Sequence, residues 1–157
     1  MRTATALLAL SALALGCYSF TGGKLPFGTV GVPVAVNSTT EYRATEQVTK
    51  ALIEAVTKDG RMKLVEPKAA QGVIEVEITS YSHLPFVYSS SEQVSQYKVT
   101  IGAKAVFKSQ SGKVVWQGAS VEGWSTYAVD SLDEARGIER AAAQLAAEIT
   151  RQALETW

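Results

Sequence analysis

The chain has one cysteine, Cys17, and one histidine, His83, in 157 residues. A single thiol closes no internal disulfide. A cysteine nucleophile needs a histidine and a positioning partner, and nothing ties His83 to Cys17. No charge sign dominates: 15 Lys and Arg balance 15 Asp and Glu, so no general attraction to nucleic acid is implied. Long apolar runs are missing too. The one candidate, residues 4–15, is about 12 residues long, against the ~20 that a membrane-spanning helix needs. Zinc spacing, a P-loop and a dinucleotide glycine pattern are absent. Ser82-His83 and Asp130 lack the G-x-S-x-G elbow of a hydrolase, so His83 reads as a loop or surface histidine. Glu75 and Glu77 stand two apart on one strand face, where solvation explains them. No catalytic residue, metal ligand or cofactor is expected, and the chain does not read as an enzyme.

What is present begins at the N-terminus. Arg2, the apolar residues 4–15 and the small Gly16 form the three parts of a secretory signal. An ordinary cleavage site wants small residues at two spaced positions, but here Leu15-Gly16 precedes Cys17. A small residue directly before a cysteine suits a bacterial lipoprotein signal, with Ala14 three residues before the cysteine and Leu13 one further back. Lipid on Cys17 also removes the liability of a free exported thiol, and two or more acyl chains anchor stably where one does not. Tyr18, not Asp, follows Cys17, which favours the outer membrane over retention at the inner one. The expected partition is a signal peptide over residues 1–16, a lipidated N-terminus and tether over 17–28, and one domain over 29–157. The 141 residues after the signal (157 minus 16) suffice for one core without disulfide or metal.

Val30, Val32, Val34 and Val36 alternate on one face of an expected strand at residues 29–36, and Pro33 marks it as an edge or a break. Ser38 and Glu41 have capping-box spacing for a helix. Its buried stripe is Ala44, Val48, Leu52 and Val56, and it ends at Asp59-Gly60. Strands follow at 62–65 and 72–81, and 83–93 reads as a mobile loop with exposed apolar groups. The strand at 94–108 turns Tyr97, Val99, Ile101, Ala103, Ala105 and Phe107 one way. It turns Lys98, Thr100, Lys104 and Lys108 the other. After a turn at 109–112 with Gly112 at positive φ, a strand returns over 113–127, where Gly118 and Gly123 suggest bulges or bends. Ser131 and Glu134 form a second capping box, and Ile138, Ala142, Leu145 and Ile149 a second helical stripe. The order β-α-β-β-β-β-α implies a two-layer α/β sandwich. Its sheet is mostly antiparallel with four to five strands, and two helices lie on one face.

The hairpin over 94–127 is long, about 14 residues per arm or ~45 Å. Its outer face carries Lys98, Thr100, Lys104 and Lys108 and has no helix left to cover it. Such a face either meets water, as antiparallel sheets commonly do, or docks against a large polar surface such as a partner's lumen.

The chain resembles the LptE family of lipopolysaccharide-assembly lipoproteins. The residues that carry the likeness are Gly16-Cys17-Tyr18-Ser19-Phe20, Leu25-Pro26, Val32-Pro33-Val34 and Asn37-Ser38-Thr39. Residues 46–52 of the first helix, Tyr97-Lys98-Val99 and Val114-Val115-Trp116 complete it. The resemblance implies a non-enzymatic plug that sits in the LptD-type β-barrel of the outer membrane, helps that barrel assemble and assists lipopolysaccharide to the cell surface. Family members contact lipopolysaccharide through basic loop residues. The matching loop here, 87–93, has no Lys or Arg, so no lipopolysaccharide-binding residue is carried over. The competing reading is a stand-alone periplasmic lipoprotein that binds another envelope protein, such as a cell-wall synthase regulator, or a small ligand. An envelope hydrolase is the third.

Overall fold

Pro33 decides how the sheet begins. A computed structural model describes residues 26–131 and 133–155; the expected signal, Cys17 and the tether before residue 26 lie outside them. The expected first strand is split into β1 (Thr29–Gly31) and β2 (Val36–Asn37). Proline has no N–H to give a ladder, so pairing stops on either side of it. The break also reverses the alternation. Val30 and Val32 are buried and so is Ala35, while Val34 and Val36 are 71% and 62% exposed. The four valines therefore do not share a face.

Helix α1 (Arg43–Asp59) buries Ala44, Val48, Leu52 and Val56 as its 3.6-residue period requires. Gly60, at φ 71°, closes it by donating to the Val56 carbonyl at 3.3 Å. Its start corrects the expected capping box: the N-cap is Tyr42, which makes no side-chain cap bond, and the Arg43 N–H goes to Glu41 Oε1 at 3.0 Å. Ser38 Oγ instead donates to Glu77 Oε1, 3.0 Å away on another strand. Asn37 orders the approach: its Oδ1 accepts from Thr39 N–H and its Nδ2 donates to the Glu41 carbonyl.

The remaining elements are β3 (Lys63–Leu64), β4 (Gly72–Tyr88), β5 (Val94–Ser109), β6 (Val114–Ala128) and α2 (Glu134–Glu155). The sheet runs β3-β1-β4-β5-β6, with β2 also beside β4. β1 is parallel to β3 and β4, and β2 to β4, while β4-β5 and β5-β6 are antiparallel. The sheet is thus mixed and has six strands, the extra one created by the proline break. The parallel β1-α1-β3 unit needs a crossover, and α1 is that crossover.

Strand β4 runs seven residues past its expected end, so 83–88 is not loop; only 89–93 connects to β5. His83, Leu84 and Pro85 pair with Val99, Lys98 and Tyr97. Pro85 is tolerated because β1 and β2 stop at Val73 and Ile78, leaving β4 a neighbour on one side only. In β6, Ala119 and Ser120 bulge opposite Lys104, next to Gly118 as expected. Gly123 is not a bulge. A Cβ there would lie 2.2 Å from the Ala141 carbonyl oxygen, so glycine is what lets α2 lie against the strand.

α2 buries Ile138, Ala142, Leu145 and Ile149. Its expected Ser131 cap is also corrected: Asp133 Oδ1 accepts from Arg136 N–H, while Ser131 Oγ turns back to the Ala128 carbonyl. The two helices lie side by side and parallel. Arg43 at the start of α1 reaches Glu134 at the start of α2, and Arg61 just past α1 donates to the Leu154 carbonyl. Both stripes join one core with Ile74, Ile78, Val99, Ile101 and Phe107. Each such side chain contributes roughly 1.5–3 kcal/mol by leaving water. Among the described residues, no helix lies on the opposite face of β4-β5-β6.

Candidate partner-facing sheet surface

Strand alternation puts Lys98, Thr100, Lys104 and Lys108 on that uncovered face, since their neighbours Val99, Ile101, Ala103, Ala105 and Phe107 are buried beneath the helices. They do not form one cluster. Lys98 and Lys108 are ten residues apart, ~33 Å along the strand.

The basal half is a charged lattice. Lys108 Nζ lies 2.7 Å from Glu75 Oε2, and both side chains are partly exposed. Lys104 is paired in register with Glu77 and makes no ion pair among the described residues. It lines a groove of about 550 Å³ with Pro33, Val34, Val36 and Gln117.

The distal half is different. Lys98 Nζ sits 4.8 Å from the Trp124 ring centroid and 5.6 Å from that of Phe86. Thr100 lies between Ser82 and Trp124 in register. Leu84 is 60%, Phe86 52% and Trp124 46% exposed. An ammonium over two rings is attracted by their faces while its flanks are apolar. The surface offers one fixed cation on an aromatic platform, suited to an anionic group carried on an apolar body. The lysines were found from periodicity. Phe86 was missed because it fell in the misread loop.

On the covered side, the distal end is tied to both helix starts. Glu134 Oε1 accepts from Arg43 Nη2 at 2.8 Å and from Tyr81 Oη at 3.0 Å. Glu41 takes Arg43 in a two-point pair, Nε–Oε1 2.8 Å and Nη2–Oε2 2.7 Å. The Arg43 hydrogen bond holds the Glu41 carboxyl below its ordinary range. Burial first, and then its bond to Glu134, push the Tyr81 phenol up. His83 is not a loop histidine: Nε2 is 2.8 Å from Tyr127 Oη, with the Tyr97 ring centroid 4.8 Å away. It joins an aromatic cluster.

Among the described residues, no group of His, Cys, Asp and Glu is placed to hold a metal ion. No helix among them is long and apolar enough to cross a membrane.

Solved structures share the architecture. The PelC dodecamer from Paraburkholderia phytofirmans matches with a TM-score of 0.53 at 16% identity, covering 82% of this chain and 91% of that chain. A lipoprotein B from Nitrosomonas europaea gives 0.53 at 13% identity over 88% and 96%. The protein CT253 of Chlamydia trachomatis gives 0.59 at 10% identity over 82% and 96%. At such identities the likeness is one of fold. No curated protein matches in sequence. The model of the lipopolysaccharide-assembly family LptE matches residues 27–153, from the residue before β1's approach into the last turns of α2. Over that length the chain belongs to the LptE family, whose members act in lipopolysaccharide assembly.

Proposed function

We propose that the protein is an outer-membrane lipoprotein that plugs an LptD-type β-barrel, helps it assemble and assists lipopolysaccharide to the surface without catalysing a reaction. Acyl lipid on Cys17, left after removal of residues 1–16, holds it on the periplasmic side. The observation that carries the reading is the bare face of β4-β5-β6, with Lys98, Thr100, Lys104 and Lys108 on it. Four considerations support it: family membership, the two helices confined to the other face, a face ~50 Å long at ~3.3 Å per residue, and the lipoprotein-like N-terminus. Lys104 and Lys108 with Glu75 and Glu77 suit the polar lumen of a barrel. Lys98 between Phe86 and Trp124 is the candidate contact for lipopolysaccharide, a phosphorylated amphiphile. It stands in for the basic loop residues that 87–93 lacks.

The test is purification of the tagged full chain in mild detergent. A barrel protein of much larger mass should come with it, and intact mass of the mature chain should begin at an acylated Cys17. Recovery of a free monomer would refute the plug. A mature chain that lacks lipid would refute the anchor.

A further inference from the structure

We infer that the groove between α1 and α2, on the side of the helix layer away from the sheet, seats residues 17–25 of this same chain. The groove, of about 560 Å³, has Ala51 and Ala55 of α1 on one wall and Ala143 and Ala147 of α2 on the other. Residues four apart on a helix share a face, and four side chains that end at a methyl leave a slot rather than a ridge. Thr150 also lines it and is more deeply buried than those walls, at 5% exposed. Its Oγ1 is the buried side-chain polar atom left without a hydrogen-bond partner among the described residues. A buried hydroxyl is ordinarily paired, so the slot is short of one polar contact as well as of apolar filling.

The occupant follows from where the described residues begin. Gly28 sits at the foot of this groove. Its carbonyl accepts from Lys63 N–H at 3.0 Å, and Arg61, two residues before Lys63, lines the groove and donates to the Leu154 carbonyl of α2. The Phe27 ring packs edge-on against buried Phe107, 5.4 Å between centroids, so the chain arrives on the helix side of the sheet. Residues 17–25 reach ~30 Å when extended, and Phe20 alone ~20 Å, at ~3.3 Å per residue. The groove from Ala51 to Lys58 is ~11 Å long at ~1.5 Å per residue.

Charge at the rim selects no outside partner, because Lys58, Arg61 and Arg151 are matched by Glu54, Asp59 and Glu155. Residues 17–25 suit a balanced rim: Lys24 is their one charged side chain, and Tyr18, Phe20 and Leu25 are apolar or aromatic. The Phe20 ring fills what the alanines leave. Gly22-Gly23 lets the backbone turn back toward the helices, and a backbone carbonyl of the segment accepts from Thr150 Oγ1. Docking shortens the leash. Where Cys17 carries lipid, it turns the helix layer toward the bilayer and leaves the bare face free. That consequence rests on the function proposed above, whereas the docking itself needs neither lipid nor barrel.

Lys24 reports the docking, because trypsin cuts after it in proportion to the time the segment spends out of the groove. In mild detergent the full mature chain should be cut there at least about tenfold more slowly than its Phe20→Ser or Ala147→Glu variant. Ala147→Glu puts a carboxylate into the slot from an exposed helix position. Cleavage at Lys113, beside the exposed 109–112 turn, should agree within about twofold in all three chains, by the independence of distant sites. A photoreactive residue at Ala143 should capture residues 17–24 of the same chain. Equal rates at Lys24 in the parent and both variants overturn the proposal. Protection that survives Ala147→Glu also overturns it, since the detergent micelle then supplies it. Silence of the Ala143 probe, or its capture of residues 156–157, of a second copy or of another polypeptide, does the same. Intact mass reads the lipid on the same samples, so an unlipidated Cys17 with Lys24 protected removes the anchor and leaves the docking standing.

Discussion

Along β5, alternate side chains live in two environments. Val99, Ile101, Ala103, Ala105 and Phe107 are at most 1% exposed and lie under the helices. Lys98, Thr100, Lys104 and Lys108, one residue out of step, face away from the helices between β4 and β6. The same backbone thus carries one face whose side chains are dictated by packing and one whose side chains are not needed to hold the fold. The difference teaches where folding and binding can be separated. Substitutions on the covered face should damage stability first, and those on the bare face should damage association first.

The sharpest break of that comparison is Gly123→Ala. The new methyl would sit 2.2 Å from the Ala141 carbonyl oxygen and 2.4 Å from the Leu145 nitrogen, both helix backbone that cannot turn aside. α2 must lift off β6, at a cost of about 3 kcal/mol, the upper end for overpacking. Urea unfolding of the domain reads it. A loss under about 0.5 kcal/mol would mean that α2 is not seated as described.

The bare face is the converse. Trp124→Ala removes a half-exposed ring and Lys98→Ala the cation held against it. Either should lower the lipopolysaccharide retained by the tagged chain at least about tenfold, as loss of a central aromatic or cationic anchor does. The urea midpoint should move by no more than about 0.5 kcal/mol equivalent, the usual span for surface changes. Loss of stability equal to that in Gly123→Ala would erase the distinction between the faces.

That distinction also explains what could be read from sequence. Both helical stripes and the β5 face were legible because burial imposes a period of 3.6 or 2 on residue choice. The distal part of β4 was not. Leu84, Phe86 and Tyr88 are exposed there, so no alternation betrays the strand, and pairing with β5 alone holds it. The two capping boxes had the right spacing and the wrong partners. Ser38 is drawn to Glu77 and Glu134 to Arg43 and Tyr81, and such contacts between distant segments leave no mark in local spacing. The lysines of the candidate surface were legible as a row. The rings around Lys98 were not, since one lay in the misread segment and the other on an irregular strand.

The smallest expected effect sets the ion pairs of the two regions against each other. Glu41 is 12% exposed and receives three hydrogen bonds from Arg43, one from the backbone N–H and two from the guanidinium. Its carboxyl is held below the ordinary range, chiefly by the guanidinium bond. The folded state therefore binds a proton at Glu41 less readily than the unfolded chain does. The resulting stabilisation is complete above the unfolded value of about 4.3 and fades as pH falls from there through the lowered folded value. Glu41→Gln should cost about 1–2 kcal/mol at pH 7, the scale of hydrogen bonds to charged groups, and it should cost progressively less as the medium is acidified. Glu75→Gln, which breaks the exposed pair with Lys108, should cost under about 0.5 kcal/mol at either pH, because solvent screens that pair. Urea midpoints of the two variants at pH 7 and at pH 3 decide the matter. Equal losses would mean that the start of α1 is as open to water as the bare face, and the helices would then not be clamped to the distal sheet through Glu41, Arg43 and Glu134.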